Sequence, residues 1–131
     1  AAEVQVAPHH QRIEPVSRLD PKFGFAHGSA ALSYGQKKRL DEWAEALREN
    51  PKLIVRVTGH TALPGDEQDN RLLASKRARA VAGALLESGA EKYQVMTRAA
   101  GEFEPEDELQ DRLAAIRNDR VMITVAEHPL D

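Results

Sequence analysis

The chain has 131 residues, which fits one domain with its own core, and a formal net charge of -3 from 18 Lys and Arg against 21 Asp and Glu. This near balance argues against a protein that wraps nucleic acid, which needs excess positive charge to displace counterions from phosphates. Cysteine is absent, which excludes disulfides and thiolate chemistry, and no apolar run approaches the roughly 20 residues of a membrane-spanning helix.

Residues 1–20 are predicted to be an N-terminal extension or linker, ahead of one domain over 21–131. Pro8 and Pro15 interrupt this region and Pro21 follows it directly, and proline lacks the N–H that a sheet ladder needs. The first residues, Ala1-Ala2-Glu3-Val4, show no cleavable signal, because they have neither a basic start nor an apolar stretch. The alternative that a targeting segment has been removed from a longer form stays open.

A short extended piece at Phe23-Gly24-Phe25 precedes the first predicted helix. Ser33 is a suitable N-cap, with Gln36 three residues later as its capping-box partner. Asn50-Pro51 ends the helix, because a residue before proline is disfavoured in the helical region. Four residues at helical spacing form its apolar face: Leu40, Trp43, Ala44 and Leu47.

The alternation in residues 53–58 predicts a strand with one face more buried than the other. Residues 59–65 (GHTALPG) are predicted to be a loop from their Gly and Pro content. Acidic residues then open a second helix, which is predicted to run to about Ser88 and to stop at Gly89. Its apolar stripe is Leu73, Ala80, Val81, Ala84 and Leu85.

Residues 93–99 predict a further strand, 100–105 a loop, and 120–126 the closing strand. Between the loop and the closing strand, Leu109, Leu113 and Ile116 suggest a short third helix. The order is therefore strand, helix, strand, helix, strand, helix, strand. This order predicts an α/β (α+β) two-layer sandwich with the helices packed on one sheet.

Arg77 is the most informative side chain. It lies four residues after Leu73 and four before Val81, on the apolar stripe of the second helix. A guanidinium keeps its charge, and burying it without a partner is costly. Two interpretations stay open. In the first, Arg77 has a structural role, either in an internal salt bridge or as a side chain that reaches solvent at the stripe's edge. In the second, Arg77 binds an anionic ligand.

Thr61 and Asn70 stand near the end of the preceding strand and the start of this helix. Strand ends that face helix N-termini are common ligand sites, because backbone N–H groups there lack partners. Simple capping of local backbone groups is the alternative explanation for both residues.

Taken together, the motifs resemble the OmpA-like (OmpA/MotB C-terminal) domain family. The resemblance covers roughly residues 20–126, and the spacing matches without gaps from Gly59 to Val81. The matching pieces, in chain order, are Phe23-Gly24-Phe25, Leu32-Ser33, Gly59-His60-Thr61-Ala62-Leu63-Pro64-Gly65, Asn70, Leu73, Arg77-Ala78, Val81, Gly101-Glu102, Pro105 and Asn118-Asp119-Arg120-Val121.

The resemblance implies a non-catalytic module that binds the peptide stem of bacterial peptidoglycan and tethers an envelope protein to the cell wall. It implies a periplasmic location, associated with the outer membrane if a segment outside this chain supplies an anchor, and no cofactor. In the family's binding mode, the helix Arg grips the carboxylate of the diamino acid, and an Asp in the Gly-His-Thr-Asp loop holds its ammonium group. The candidate ligand-binding residues are therefore Thr61, Ala62, Asn70, Leu73 and Arg77.

Four positions depart from the family pattern. Ala62 stands where the ammonium-binding Asp is expected, and Gly24, Ala74 and Asp119 replace the Asp of Phe-x-Phe, a Ser and the first Arg of Arg-Arg. Loss of one charge-assisted hydrogen bond weakens affinity by about 10- to 150-fold. Asp66 is a possible substitute carboxylate, although a charge at a helix start is the simpler explanation.

These departures keep a second function open: a degenerate OmpA-like domain that no longer binds peptidoglycan and serves protein–protein interaction in an envelope complex, such as a secretion or pilus assembly. An enzyme is not expected, because the sequence has no nucleophile-elbow, phosphate-loop or His-Glu-x-x-His motif. The acidic residues between 102 and 108 are expected to be a solvated surface. No metal site is expected from the five histidines, His9, His10, His27, His60 and His128.

Overall fold

The computed structural model describes residues 18–26, 28–61, 67–101 and 119–127. Within these segments the chain forms two long helices and four strands, with a single 3₁₀ turn at Lys92–Gln94. The elements are β1 (Lys22–Gly24), α1 (Tyr34–Glu49), β2 (Leu53–His60), α2 (Glu67–Glu87), β3 (Val95–Gly101) and β4 (Arg120–Glu127). The predicted extension up to residue 17 and the predicted third helix lie outside the described residues.

The strands form one sheet in the order β1-β4-β2-β3. β4 is antiparallel to both β1 and β2, and β2 is parallel to β3. Since parallel neighbours need a crossover connection, α2 joins β2 to β3 across one face of the sheet. The predicted two-layer α/β sandwich is confirmed.

Helix α1 begins where its capping residues predict. The Ser33 side-chain oxygen accepts from the Gln36 backbone N–H at 3.1 Å, and Gln36 Oε1 accepts from the Ser33 N–H at 2.9 Å. Gln36 Nε2 also donates to the Gly24 carbonyl at 2.7 Å, which ties the helix start to β1. The predicted apolar face is buried as expected, and Ala46 is buried with it.

Two loop boundaries predicted from the sequence were wrong. Gly59 and His60 belong to β2, because they pair with Ala99 and Gly101 in the parallel ladder. Gly101 is therefore part of β3 and not of a loop, and β3 begins only at Val95, after the 3₁₀ turn. Glycine is a poor strand former in general, but here sheet pairing overrides that preference.

Helix α2 buries small residues against the sheet. Ala74 and Ala78 are buried, together with Val81 and Leu85, whereas Leu73 of the predicted stripe is only partly buried. A Cβ added at Gly59 would lie 2.0 Å from the Ala74 carbonyl oxygen. The close approach of helix and strand thus depends on glycine at that position, and it turns the Arg77 side of the helix toward the end of β2.

The core lies between the helices and the inner face of the sheet. Alternate residues on the opposite face, such as Arg56, Met96 and Thr124, are exposed. The core residues are Phe23, Phe25, Leu40, Trp43, Ala44, Ala46, Leu47, Leu53, Val55, Val57, Ala78, Val81, Leu85, Ala90, Val121 and Ile123. Among the described segments, no helix combines the length and the apolar character needed to cross a membrane.

Candidate functional site

The Arg77 side chain is completely buried on the sheet-facing side of α2. Its Nε donates to the Ser29 carbonyl at 2.7 Å, and its Nη2 donates to the Ala26 carbonyl at 3.0 Å. Its Nη1 donates both to the His60 carbonyl at 3.0 Å and to Asp119 Oδ1 at 2.6 Å. Four of the five N–H bonds of the guanidinium are therefore directed at acceptors of the chain itself.

Asp119 compensates the charge of Arg77. The two side chains form an ion pair, and the Asp119 side chain is only 8% exposed. The Phe25 ring adds a contact, with its centroid 5.2 Å from the guanidinium carbon. Of the interpretations that the sequence left open for Arg77, the internal salt bridge is thus present in the structure. A side chain that reaches solvent at the stripe's edge is wrong, because Arg77 has no exposed surface.

Three segments deliver these acceptors to α2. The turn after β1 places two carbonyls: Gly28 has a φ of 73°, and the Ser29 N–H donates to Ala26 O at 3.0 Å across it. β2 supplies the His60 carbonyl at its last residue. Asp119 directly precedes β4, and its own carbonyl accepts from the Phe25 N–H at 2.9 Å, which fixes its backbone against the first segment.

Thr61 follows His60 directly and is buried, and its Oγ1 has no hydrogen-bond partner in the part of the chain that the structure describes. Asn70 and Leu73 are partly buried on α2. Their spacing of seven and four residues from Arg77 places all three on one side of the helix. Arg77, the Asp119 carboxylate and the carbonyls of Ala26, Ser29 and His60 form a group that we name the Arg77 cluster. The structure brings Thr61 close to this cluster and sets Asn70 and Leu73 on the same face of α2 as Arg77. Ala62 lies outside the described residues.

Sequence reasoning missed the role of Asp119, which it treated only as a departure from a motif. The available signal was chemical: a buried arginine requires an acid, and Asp119 stands at the start of the closing strand, where it is near the end of β2 across the antiparallel pair. The two carbonyl acceptors from the turn after β1 had no sequence signal, because any residue carries a carbonyl.

His60 belongs to the strand and contributes its backbone carbonyl to the cluster. The other four histidines lie outside the described residues. Among the residues that the structure describes, no group of three or more His, Asp and Glu side chains is placed to hold a metal ion.

The OmpA family model matches residues 24–120, a span that contains the whole Arg77 cluster. The chain therefore belongs to the OmpA family. It is 31% identical over 102 residues to the probable lipoprotein YiaD of Escherichia coli, covering 78% of this chain and 47% of that protein. It is 30% identical over 107 residues to the outer-membrane lipoprotein YfiB of Pseudomonas aeruginosa, covering 82% of this chain and 64% of that protein.

A peptidoglycan-associated lipoprotein of Legionella pneumophila is 27% identical over 115 residues, which cover 88% of this chain and 60% of that protein. The chain thus spans less than two thirds of the length of each of these relatives. Among solved structures, the peptidoglycan-associated lipoprotein of Burkholderia pseudomallei shares the fold with a TM-score of 0.81 at 21% identity, over 88% of this chain and 99% of that chain. The C-terminal domain of Helicobacter pylori MotB has a TM-score of 0.74 at 21% identity, over 85% and 87%.

Proposed function

We propose that this chain is a non-catalytic module of the bacterial cell envelope that contacts the peptide stem of peptidoglycan from the periplasm. The observation that carries the proposal is membership of the OmpA family across the Arg77 cluster. The curated relatives support it, since one is named as an outer-membrane lipoprotein and another as a peptidoglycan-associated lipoprotein.

The ligand would meet the chain around Thr61, Ala62, Asn70, Leu73 and Arg77. The Thr61 hydroxyl supports this placement, because a buried polar atom without a partner is costly unless something supplies the missing hydrogen bond. The methyl side chain of Ala62 cannot accept a hydrogen bond from an ammonium group. We therefore expect the binding to be weak, by about 10- to 150-fold relative to a site with Asp at this position.

A second function is favoured by one specific observation, the ion pair between Arg77 and Asp119. Because the guanidinium is already paired with a carboxylate, we expect it to bind the carboxylate of a ligand more weakly. On this alternative the domain has lost peptidoglycan binding and serves protein–protein interaction within an envelope complex, for which a secretion or pilus assembly is a candidate.

Restoring the missing carboxylate tests the two functions. Strong sedimentation of the native chain would refute the degenerate domain, whereas a gain of binding in Ala62→Asp alone would support loss of an ancestral site. We expect Ala62→Asp to increase co-sedimentation with purified peptidoglycan sacculi by about 10- to 150-fold in apparent affinity. The matched control is Ala31→Asp, which adds the same charge at an exposed residue outside the cluster. If neither the native chain nor Ala62→Asp sediments with sacculi, peptidoglycan binding is refuted and the interaction role is supported.

Arg77 itself is a poor probe of ligand contact. Its replacement would remove four internal hydrogen bonds and leave Asp119 without this partner. Loss of binding in an Arg77 variant would therefore report loss of folding as readily as loss of a ligand contact.

A further inference from the structure

The partners of Arg77 are of two kinds. Three are neutral backbone carbonyls, from Ala26, Ser29 and His60, which hold the guanidinium in a fixed orientation. The fourth is the Asp119 carboxylate, which accepts a hydrogen bond from Nη1 and carries a full negative charge on a side chain. The carbonyls belong to backbone that is fixed by strand or turn hydrogen bonds, whereas a carboxylate on a side chain can rotate away.

We propose that Asp119 is an internal substitute for a carboxylate ligand and competes with an external acid for the Arg77 guanidinium. In the native chain the Asp119 carboxylate already pairs with Nη1, so an external acid can take that position only when the Asp119 side chain leaves. The inference rests on the proposed function for the identity of the natural ligand, a peptide that bears a carboxylate. The competition itself is a property of this chain alone.

The exchange requires movement of one side chain. Asp119 Oδ1 lies 2.6 Å from Arg77 Nη1, and the Asp119 backbone is held by the hydrogen bond from the Phe25 N–H to its carbonyl. Rotation about the Asp119 side-chain bonds would release the one Nη1 N–H that pairs with Oδ1, while the other Nη1 N–H stays bonded to the His60 carbonyl and the Phe25 N–H still holds the Asp119 backbone. The guanidinium would stay oriented by its three carbonyl partners, so it would present a preorganised N–H donor to the carboxylate of another acid.

Removal of the Asp119 carboxylate should create a pocket for a small acid. In Asp119→Ala the lost group has the size and charge of formate, so formate should bind beside Arg77 and stabilise the folded state by mass action. We expect sodium formate, at a concentration well above its dissociation constant, to raise the Tm of Asp119→Ala by about 3–8 °C over equal sodium chloride. The native chain should show no such difference.

The matched control is Asp20→Ala, which removes an acid from the exposed pair with Arg39, whose charged atoms lie 3.6 Å apart. Formate should not rescue this variant, because the exposed site offers no enclosed pocket for it. An equal formate effect on Asp20→Ala, or none on Asp119→Ala, would overturn the inference. If Asp119→Ala does not fold in chloride, Asp119→Ser replaces it in the same assay, with the same outcomes.

Binding to sacculi tests the same competition with the proposed ligand. We expect Asp119→Ser to sediment with at least about 10-fold higher apparent affinity than the native chain, because its hydroxyl does not neutralise Arg77. If formate rescues Asp119→Ala but neither the native chain nor Asp119→Ser sediments, the proposed function fails and the internal competitor stands. If the native chain sediments and formate has no effect, the proposed function stands and the internal competitor fails.

Discussion

Replacement of Arg77 by methionine would test whether the cluster is an internal structural unit. Methionine fills much of the same volume without any donor, so the variant would leave the Asp119 carboxylate and three carbonyls without their Arg77 hydrogen bonds in a buried site. Breaking a buried ion pair by removal of one partner typically lowers the free energy of unfolding by about 3–5 kcal/mol. Because the Arg77 side chain has no exposed surface, we expect a loss of about 4 kcal/mol.

A loss of this size is a large part of the total free energy of unfolding of a typical domain. Domains are typically stable by about 5–15 kcal/mol, so Arg77→Met would bring the chain near its unfolding threshold. Asp119→Asn should cost less, about 2 kcal/mol, because the amide oxygen can still accept from Nη1. The double variant should cost about 1–3 kcal/mol less than the sum of the two, since it removes both charges of the ion pair together.

Urea denaturation can measure all three variants. Trp43 is the single tryptophan and is only 2% exposed, so its fluorescence should report global unfolding, with far-UV circular dichroism as a second probe. The control cycle uses Arg39 and Asp20, an exposed pair whose coupling should stay below about 1 kcal/mol. Additivity of the Arg77 and Asp119 losses within about 0.5 kcal/mol would refute a coupled internal pair.

Three further substitutions test the packing that positions the cluster. Gly59→Ala should lower the free energy of unfolding by at least about 2 kcal/mol, because its Cβ would lie 2.0 Å from a carbonyl of α2. Gly83→Ala is the control, since its Cβ meets nothing within 4 Å, and it should stabilise α2 by about 0.5–1 kcal/mol. Gln94→Ala should cost about 2–3 kcal/mol, because its buried amide donates to three carbonyls between α1 and β2. Ser33→Ala should cost about 1 kcal/mol through loss of the α1 cap. Urea titrations measure all four.

Local sequence signals were sufficient to locate the elements whose ends are marked by capping residues or by a proline. The Ser33 capping box and Asn50 before a proline located α1, and alternation located the start of β2. The end of β2 was misjudged because Gly59 was interpreted as a loop residue. Its glycine serves instead the close approach to α2, a tertiary contact that no local pattern encodes.

The candidate site was predictable only in part. Arg77 stood out because a permanent charge on an apolar helix stripe needs an explanation. Its partner did not, because Asp119 is 42 residues away and joins Arg77 only once β4 has paired with β2. A pattern of residue types can show that a buried guanidinium needs an acid, but the choice among 21 acidic residues depends on the assembled sheet.

On the proposed function, Ala62 and Asp119 would lower ligand affinity by different routes, and their effects should multiply. Alanine at residue 62 would deprive the bound state of one contact, which we expect to weaken binding by about 10- to 150-fold. Asp119 would act on the free state, because an acid that competes from within reduces the apparent affinity by the fraction of molecules in which Arg77 is available. If the paired arrangement of Asp119 and Arg77 is more stable than the unpaired one by about 2 kcal/mol, that fraction is about 1 in 30. Restoring the acid at residue 62 therefore recovers only the first factor, while the second persists as long as Asp119 stays paired with Arg77.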